Sequence, residues 1–182
     1  MNVQIYLAKP EDLEKILELQ ASSLKLLASK EYNARQIESL IRSQKSARSK
    51  YKEIVFVAYF HSKLVGFASL SVNTPTINAI FVHPAFKCLG IGTRLLETIE
   101  HTAIEKNYRT IYVMSSLSAV DFYRAMGYEK THKSGFWSES KTWIPCVNMQ
   151  KQLIPLTQRE KWTWRIIFFI VCLVVVVRLL RG

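Results

Sequence analysis

Polar and apolar positions alternate from Val3 to Ala8, with Val3, Ile5 and Leu7 on one side, which predicts a first strand. The period then lengthens. Pro10-Glu11-Asp12 suits the first turn of a helix, and Leu13, Ile16, Leu17, Leu24 and Leu27 form its apolar side. A second helix is predicted from Asn33, as cap, to about Ser46, with Ile37, Leu40 and Ile41 inward. Ile54–Phe60 and Leu64–Val72 are apolar and β-branched and are joined by His61-Ser62-Lys63, the pattern of a hairpin. Asn73-Thr74-Pro75 turns the chain into a strand ending at Val82. After His83-Pro84, the spacing of Ile91, Leu95, Leu96 and Ile99 predicts a helix that opens near Gly92 and runs to about Lys106. Thr110–Met114 reads as a strand, and Ser118 as the cap of a short helix carrying Phe122 and Tyr123. Tyr128 begins another strand, and Trp143–Met149 is the last. The sum is an α/β (α+β) domain with a mixed sheet flanked by helices.

Past Pro155 the pattern changes character. Residues 1–153 make one domain, 154–161 a polar linker, and 162–180 a run that is apolar on every side. Ile166 to Val177 contains no polar residue, and the nineteen residues from Trp162 to Leu180 would make roughly 28 Å of helix, close to the thickness of a hydrocarbon core. Arg165 and Arg178 can snorkel, and Trp162 and Trp164 suit the interface. The segment reads as a single carboxyl-terminal transmembrane helix; a core element is the alternative. Lys151, Arg159, Lys161 and Arg165 precede it, while Arg178 and Arg181 follow, so the positive-inside bias puts the domain in the cytoplasm.

Charge narrows the partners. With 25 Lys and Arg against 14 Asp and Glu the net charge is +11, which favours anionic company. Arg42, Lys45, Arg48, Lys50 and Lys52 form a run without an acid, either a solvated loop or a contact for anionic lipid. Apart from Tyr51, no aromatic residue is interleaved through that run, which argues against nucleic acid. Three cysteines at 88, 146 and 172 give neither a disulfide framework nor, with the four histidines, a metal-ligand spacing.

The chemistry gathers between Ile80 and Leu96. Gly90 and Gly92 let the backbone turn and leave its amides unscreened at the start of a helix, where the N–H groups lack internal partners and favour an anion. Two glycines alone fit an ordinary turn equally well. In context, V-H-P-x-x-K-x-x-G-x-G-x-x-L-L from Val82 to Leu96 resembles the pyrophosphate motif of the GNAT superfamily of acetyl-CoA-dependent N-acetyltransferases, with Lys87 at its Gln/Arg position. Downstream, Ala119, Phe122, Tyr123, Gly127 and Tyr128 resemble the family's A-x-x-F-Y-x-x-x-G-F/Y signature, with Ser116 where Asn is frequent. The resemblance runs from about Val3 to Leu153.

That resemblance implies a GNAT-like, mostly antiparallel mixed sheet and direct transfer of acetyl from acetyl-CoA, as co-substrate, to a primary amine in a ternary complex. It implies that Ile80, Phe81 and Val82 bond the pantetheine arm and acetyl oxygen, and that Lys87, Cys88, Leu89, Gly90, Ile91, Gly92 and Thr93 hold the pyrophosphate. Ser116 belongs to the same binding set, and Tyr123 serves the leaving thiolate, with a core aromatic as its alternative. No general base emerges: the strand before the loop carries no carboxylate, and Asn78 is its one amide. A membrane-tethered acyl-CoA-binding module without catalysis and a partner-binding membrane subunit remain as other classes. The acceptor amine and the oligomeric state are not legible.

Overall fold

A computed structural model describes residues 2–28, 30–50 and 52–155 and the single positions 162 and 178; for residues 27 and 44–50 only the backbone is described. The predicted linker and transmembrane segment therefore lie almost wholly outside the described residues. Among those described, no helix is long and apolar enough to cross a membrane.

The chain forms one seven-stranded sheet in the order β1-β2-β3-β4-β5-β7-β6, with strands β1 Val3–Leu7, β2 Glu53–Phe60, β3 Lys63–Ser71, β4 Thr76–Val82, β5 Thr110–Ser116, β6 Glu129–Trp137 and β7 Trp143–Gln152. Neighbours are antiparallel except β4 and β5, which are parallel and joined by helix α3, Ile91–Glu105. The mixed, mostly antiparallel architecture is as expected. Helix α1, Leu13–Leu27, covers β3 and β4 on one face, with Ile16 and Leu19 packed on Phe67 and Ala79. Helix α3 lies on the opposite face, where Leu95 and Ile99 join Val65, Leu70 and Ile111. Gly66 sets how closely α3 approaches: a Cβ there would meet Leu95 Cδ1 at 3.0 Å and the Phe81 carbonyl at 3.1 Å. Helix α2, Ala34–Lys50, reaches the β7 end through Leu40 and Ile144.

Four local readings change. Pro10–Asp12 is a 3-10 turn ahead of α1, and it shifts the helix phase so that Leu13 is exposed while Leu19, Gln20 and Ser23 are buried. Asn33 does cap α2, its Oδ1 accepting from the Gln36 N–H at 2.9 Å, but the helix continues to Lys50. The basic run is thus helical over most of its length rather than a loop, as suits Lys and Arg, which are good helix formers. Ser118 caps nothing: it lies inside a 3-10 turn, Leu117–Ala119, and helix α4, Val120–Ala125, has Ala119 at its N-cap.

Candidate active site

The loop after β4 is fixed by local bonds. His83 Nδ1 accepts from the Ala85 N–H at 3.2 Å, and the Phe86 N–H donates to the His83 carbonyl at 2.8 Å across a turn opened by Pro84. Burial, helped by the Lys63 ammonium, lowers the His83 pKa, so the ring stays neutral. Cys88 then takes φ +59° and Gly90 φ +76°, and α3 starts at Ile91 with Gly90 as a left-handed N-cap. Cys88 therefore occupies a conformation that glycine adopts more easily. The first helical bond runs from the Arg94 N–H to the Gly90 carbonyl at 3.1 Å, so the N–H groups before it have no carbonyl one turn behind.

The two glycines serve different ends. A Cβ on Gly90 would meet nothing within 4 Å, so the space before this N-terminus is open. A Cβ on Gly92 would lie 3.4 Å from Phe122 Cε2 and 3.7 Å from Val82 Cγ2. Gly92 thus faces α4 and the end of β4, where an added methyl would make ordinary contacts. Lys87, Cys88 and Leu89 are exposed, Thr93 is half-buried, and Ile91 is a core side chain whose N–H alone is available to the loop. Lys87 and Arg94 are cations, and no acid lies between His83 and Leu96. Open amides, positive charge and a helix N-terminus fit a pyrophosphate.

Next to this loop the sheet parts. β4 and β5 pair only at Thr76↔Tyr112 and Ile77↔Val113, although β4 runs on to Val82 and β5 to Ser116. Ile80, Phe81 and Val82 therefore border a gap between parallel strands. At its apex β4 is bulged: the β3 register steps from Ser69↔Ala79 to Leu70↔Ile77, leaving Asn78 as the extra residue. Asn78 Nδ2 donates to Glu53 Oε1 at 2.8 Å, so a carboxylate from β2 reaches the bulge. Nearer the mouth, the Val82 carbonyl accepts from the buried Ser23 hydroxyl at 3.0 Å.

Tyr123 is 4% exposed and sits on the α3 side, edge-on to Phe122 and to Tyr128, each with ring centroids 5.2 Å away. Burial raises its pKa, so its hydroxyl stays protonated and is a hydrogen-bond donor rather than a strong acid. Tyr128 braces it from below. Burial, with Glu100 beside it, also raises the Tyr128 pKa, and its hydroxyl donates to Glu100 Oε1 at 3.0 Å while Lys151 Nζ donates to Glu100 Oε2 at 2.8 Å. Ser116, half-buried at the end of β5, has its Oγ 3.2 Å from Ser118 Oγ. Loop, gap, Ser116 and Tyr123 thus cluster around the ends of β4 and β5.

On the other face stands a residue that the sequence reading missed. Tyr32, in the turn between α1 and α2, donates its hydroxyl to the Pro145 carbonyl at 2.8 Å and accepts from the Leu117 N–H at 2.9 Å. Burial raises its pKa, partly opposed by the Leu117 bond. It ties the helical layer to the end of β5 and the start of β7. No periodicity marks it, because its partners are backbone groups more than eighty residues away. Among the described residues no cluster of His, Cys, Asp and Glu could hold a metal ion.

A family model described as an acetyltransferase (GNAT) domain matches residues 28–153. No curated protein matches the chain by sequence. Among solved structures, a GCN5-related N-acetyltransferase from Rhodopseudomonas palustris superposes with TM-score 0.76 at 24% identity, over 84% of this chain and 96% of that one. PaiA N-acetyltransferase from Thermoplasma acidophilum, solved with coenzyme A, gives 0.63 at 21% identity over 84% and 99%. YncA from Salmonella typhimurium, solved with acetyl-CoA, gives 0.60 at 17% identity over 86% and 97%. At these identities the superpositions speak to the fold.

Proposed function

The chain belongs to the GNAT acetyltransferase family, and from that premise we propose that it is an N-acetyltransferase that moves the acetyl group of acetyl-CoA to a primary amine by direct attack. The observation that carries this reading is the open, left-handed loop at the start of α3 beside two parallel strands that part. Lys87 and the N–H groups from Cys88 to Thr93 would hold the pyrophosphate by charge and by the helix end. The edge of β4 from Ile80 to Val82 would bond the pantetheine arm in the gap, with Ser116 opposite on β5. Bound acetyl-CoA supplies an activated thioester carbonyl. Placing that carbonyl beside an amine supplies proximity, and the neutral Tyr123 hydroxyl donates to the sulfur as the C–S bond breaks. The CoA-bound and acetyl-CoA-bound relatives of the same fold support the co-substrate.

We propose further that residues 162–180 anchor the domain in a membrane, with residues 1–153 on the cytoplasmic side. Support for this comes from the sequence alone: an unbroken apolar run, flanking arginines and paired tryptophans.

Calorimetry and thiol release test the enzyme reading. Lys87→Ala should weaken CoA binding by about 1–3 kcal/mol, the scale of a lost charge-assisted hydrogen bond. Thiol release from acetyl-CoA, screened over alkylamines, lysine peptides, peptide amino termini and amine antibiotics, should be positive for one class. Undiminished CoA affinity in Lys87→Ala would remove the loop assignment, and silence with every amine would leave a binding module. Full-length chain should sediment with membranes and resist high salt; release by salt alone would overturn the anchor.

A further inference from the structure

On the acetyltransferase reading above, the pantetheine arm is bonded from the β4 side, whereas Ser116 and Tyr123 reach it from the β5 side. Beyond Ile77↔Val113 no strand pairing sets the distance between those two sides. The geometry points to Ser23 and Tyr32 as a pair of positioning residues that clamp the two lips of the gap and fix its width. The thioester is thereby held where Ser116 and Tyr123 can serve it, so the inference rests on that reading.

Ser23 grips the β4 lip. The peptide unit between Val82 and His83 gives its N–H to the Val65 carbonyl of β3 at 2.8 Å. The carbonyl of a trans peptide points the opposite way, so the Val82 carbonyl faces the gap, and the Ser23 hydroxyl donates to it at 3.0 Å. Tyr32 grips the β5 lip. The β5–β7 register runs out at Ser116↔Cys146, and the next rung would join Leu117 to Pro145. Proline has no N–H to return, and the Tyr32 hydroxyl stands in that rung, accepting from the Leu117 N–H at 2.9 Å and donating to the Pro145 carbonyl at 2.8 Å. Leu117 opens the 3-10 turn that leads straight into α4, so its place carries over to Tyr123. Between the two grips, Leu24, Ala28 and Tyr32 form one cluster against which Phe81 of β4 and Leu117 both pack. Ser23 and Tyr32 are 2% and 4% exposed, so water does not compete for their bonds.

The end of α1 and the turn after it thus span the mouth of the gap on one face of the sheet. β5 is paired with β7 from Thr110 to Ser116, so the two strands move as one body, and Tyr32 holds both. A misplacement of about 1 Å between reacting groups is enough to cost about 100-fold in rate, so the width of the gap bears on turnover. Among the described residues neither hydroxyl bonds to the Gly90 loop, which sets CoA affinity apart from the clamp.

The test uses the full-length chain with acetyl-CoA and the amine that gives the fastest wild-type rate in the screen above. Ser23→Ala and Tyr32→Phe should each lower kcat by about tenfold, while calorimetric CoA affinity stays within about threefold. The double variant should lose no more kcat than the worse single one, because freeing one lip already frees the width. Its losses of unfolding free energy in urea should instead add, as they do for sites without a shared partner. In Ser23→Ala, hydrogen exchange of the peptide carrying Leu117 should quicken by about tenfold, although its own bond to Tyr32 is intact, while exchange over β2 stays as in the parent. That measurement needs no Tyr32 variant, so it decides the matter even where Tyr32→Phe does not fold. An unchanged kcat in Ser23→Ala, kcat losses that multiply in the double variant, or exchange at Leu117 that stays slow or rises only along with β2 overturns the clamp. A wild-type chain that binds CoA yet acetylates no amine overturns the acetyltransferase reading instead, and exchange at Leu117 still decides the clamp.

Discussion

The two sides of the gap are built from different material. The cofactor side, from His83 to Thr93, is backbone: two left-handed residues, a helix N-terminus and an open space over Gly90. The face that carries α1 is held instead by side chains delivered from far apart in the chain: Ser23 from α1 on the Val82 carbonyl and Tyr32, from the turn after it, on the Pro145 carbonyl. A backbone site tolerates changes of side chain as long as its dihedral angles survive. A side-chain site can be rebuilt for a new amine without disturbing the fold. On the proposed reading, the backbone half would suit a shared acyl donor and the side-chain half a variable acceptor.

The largest expected effect tests the backbone half. Gly90→Val forces a branched residue to φ +76° at a cost of about 1–2 kcal/mol and fills the open space, so calorimetry should show CoA affinity reduced at least about 100-fold. Gly92→Ala meets only ordinary contacts with Phe122 and should bind CoA within about threefold of the parent. Equal losses in the two would erase the distinction between them.

Tyr123→Phe keeps the ring packed between Phe122 and Tyr128 and removes the donor. Turnover should fall about 100-fold with CoA affinity intact; full activity would return Tyr123 to the core. Tyr32→Phe tests the side-chain half. It strands the Leu117 N–H and the Pro145 carbonyl, which should lower the unfolding free energy by about 2 kcal/mol in urea titrations and raise the acceptor KM more than the acetyl-CoA KM.

The smallest effect lies at the root of α1. Asp12 accepts from the Tyr59 hydroxyl at 2.6 Å and from the Lys9 N–H at 2.8 Å, and these bonds, Tyr59 first, lower its pKa. A lowered folded pKa gives stability that is present above the unfolded value, near 3.9, and lost as pH falls through the folded one. Asp12→Asn should therefore cost about 1 kcal/mol at pH 7, and the gap from the parent should shrink as pH drops below about 4.

The same division explains what the sequence discloses. Strands and helices follow from period, and the loop from glycine spacing, because backbone requirements leave a mark at fixed offsets. The bulge at Asn78 leaves none, since one extra residue in a short apolar strand does not break its pattern. Glu53 looks like a charged residue ahead of a strand until the register of β2, β3 and β4 is known. Tyr32 is equally plain in sequence, its two partners being backbone groups fixed only by the tertiary fold. Leu13 misleads because a 3-10 turn precedes α1 and rotates its face.

The sheet also has two ends. β7 runs antiparallel to β5, so the chain leaves the domain where Gln152 pairs with Thr110 and the Leu153 N–H donates to the Arg109 carbonyl. The Gly90 loop lies beyond the opposite end, past Ser116, which is about 20 Å away along β5 at a strand's usual rise. The apex of the gap, beside Ile77↔Val113, lies nearer the point of departure than the loop does. The chain therefore departs toward its carboxyl-terminal segment from the end of the sheet opposite the Gly90 loop, and the loop is the part of the domain farthest along β5 from that point.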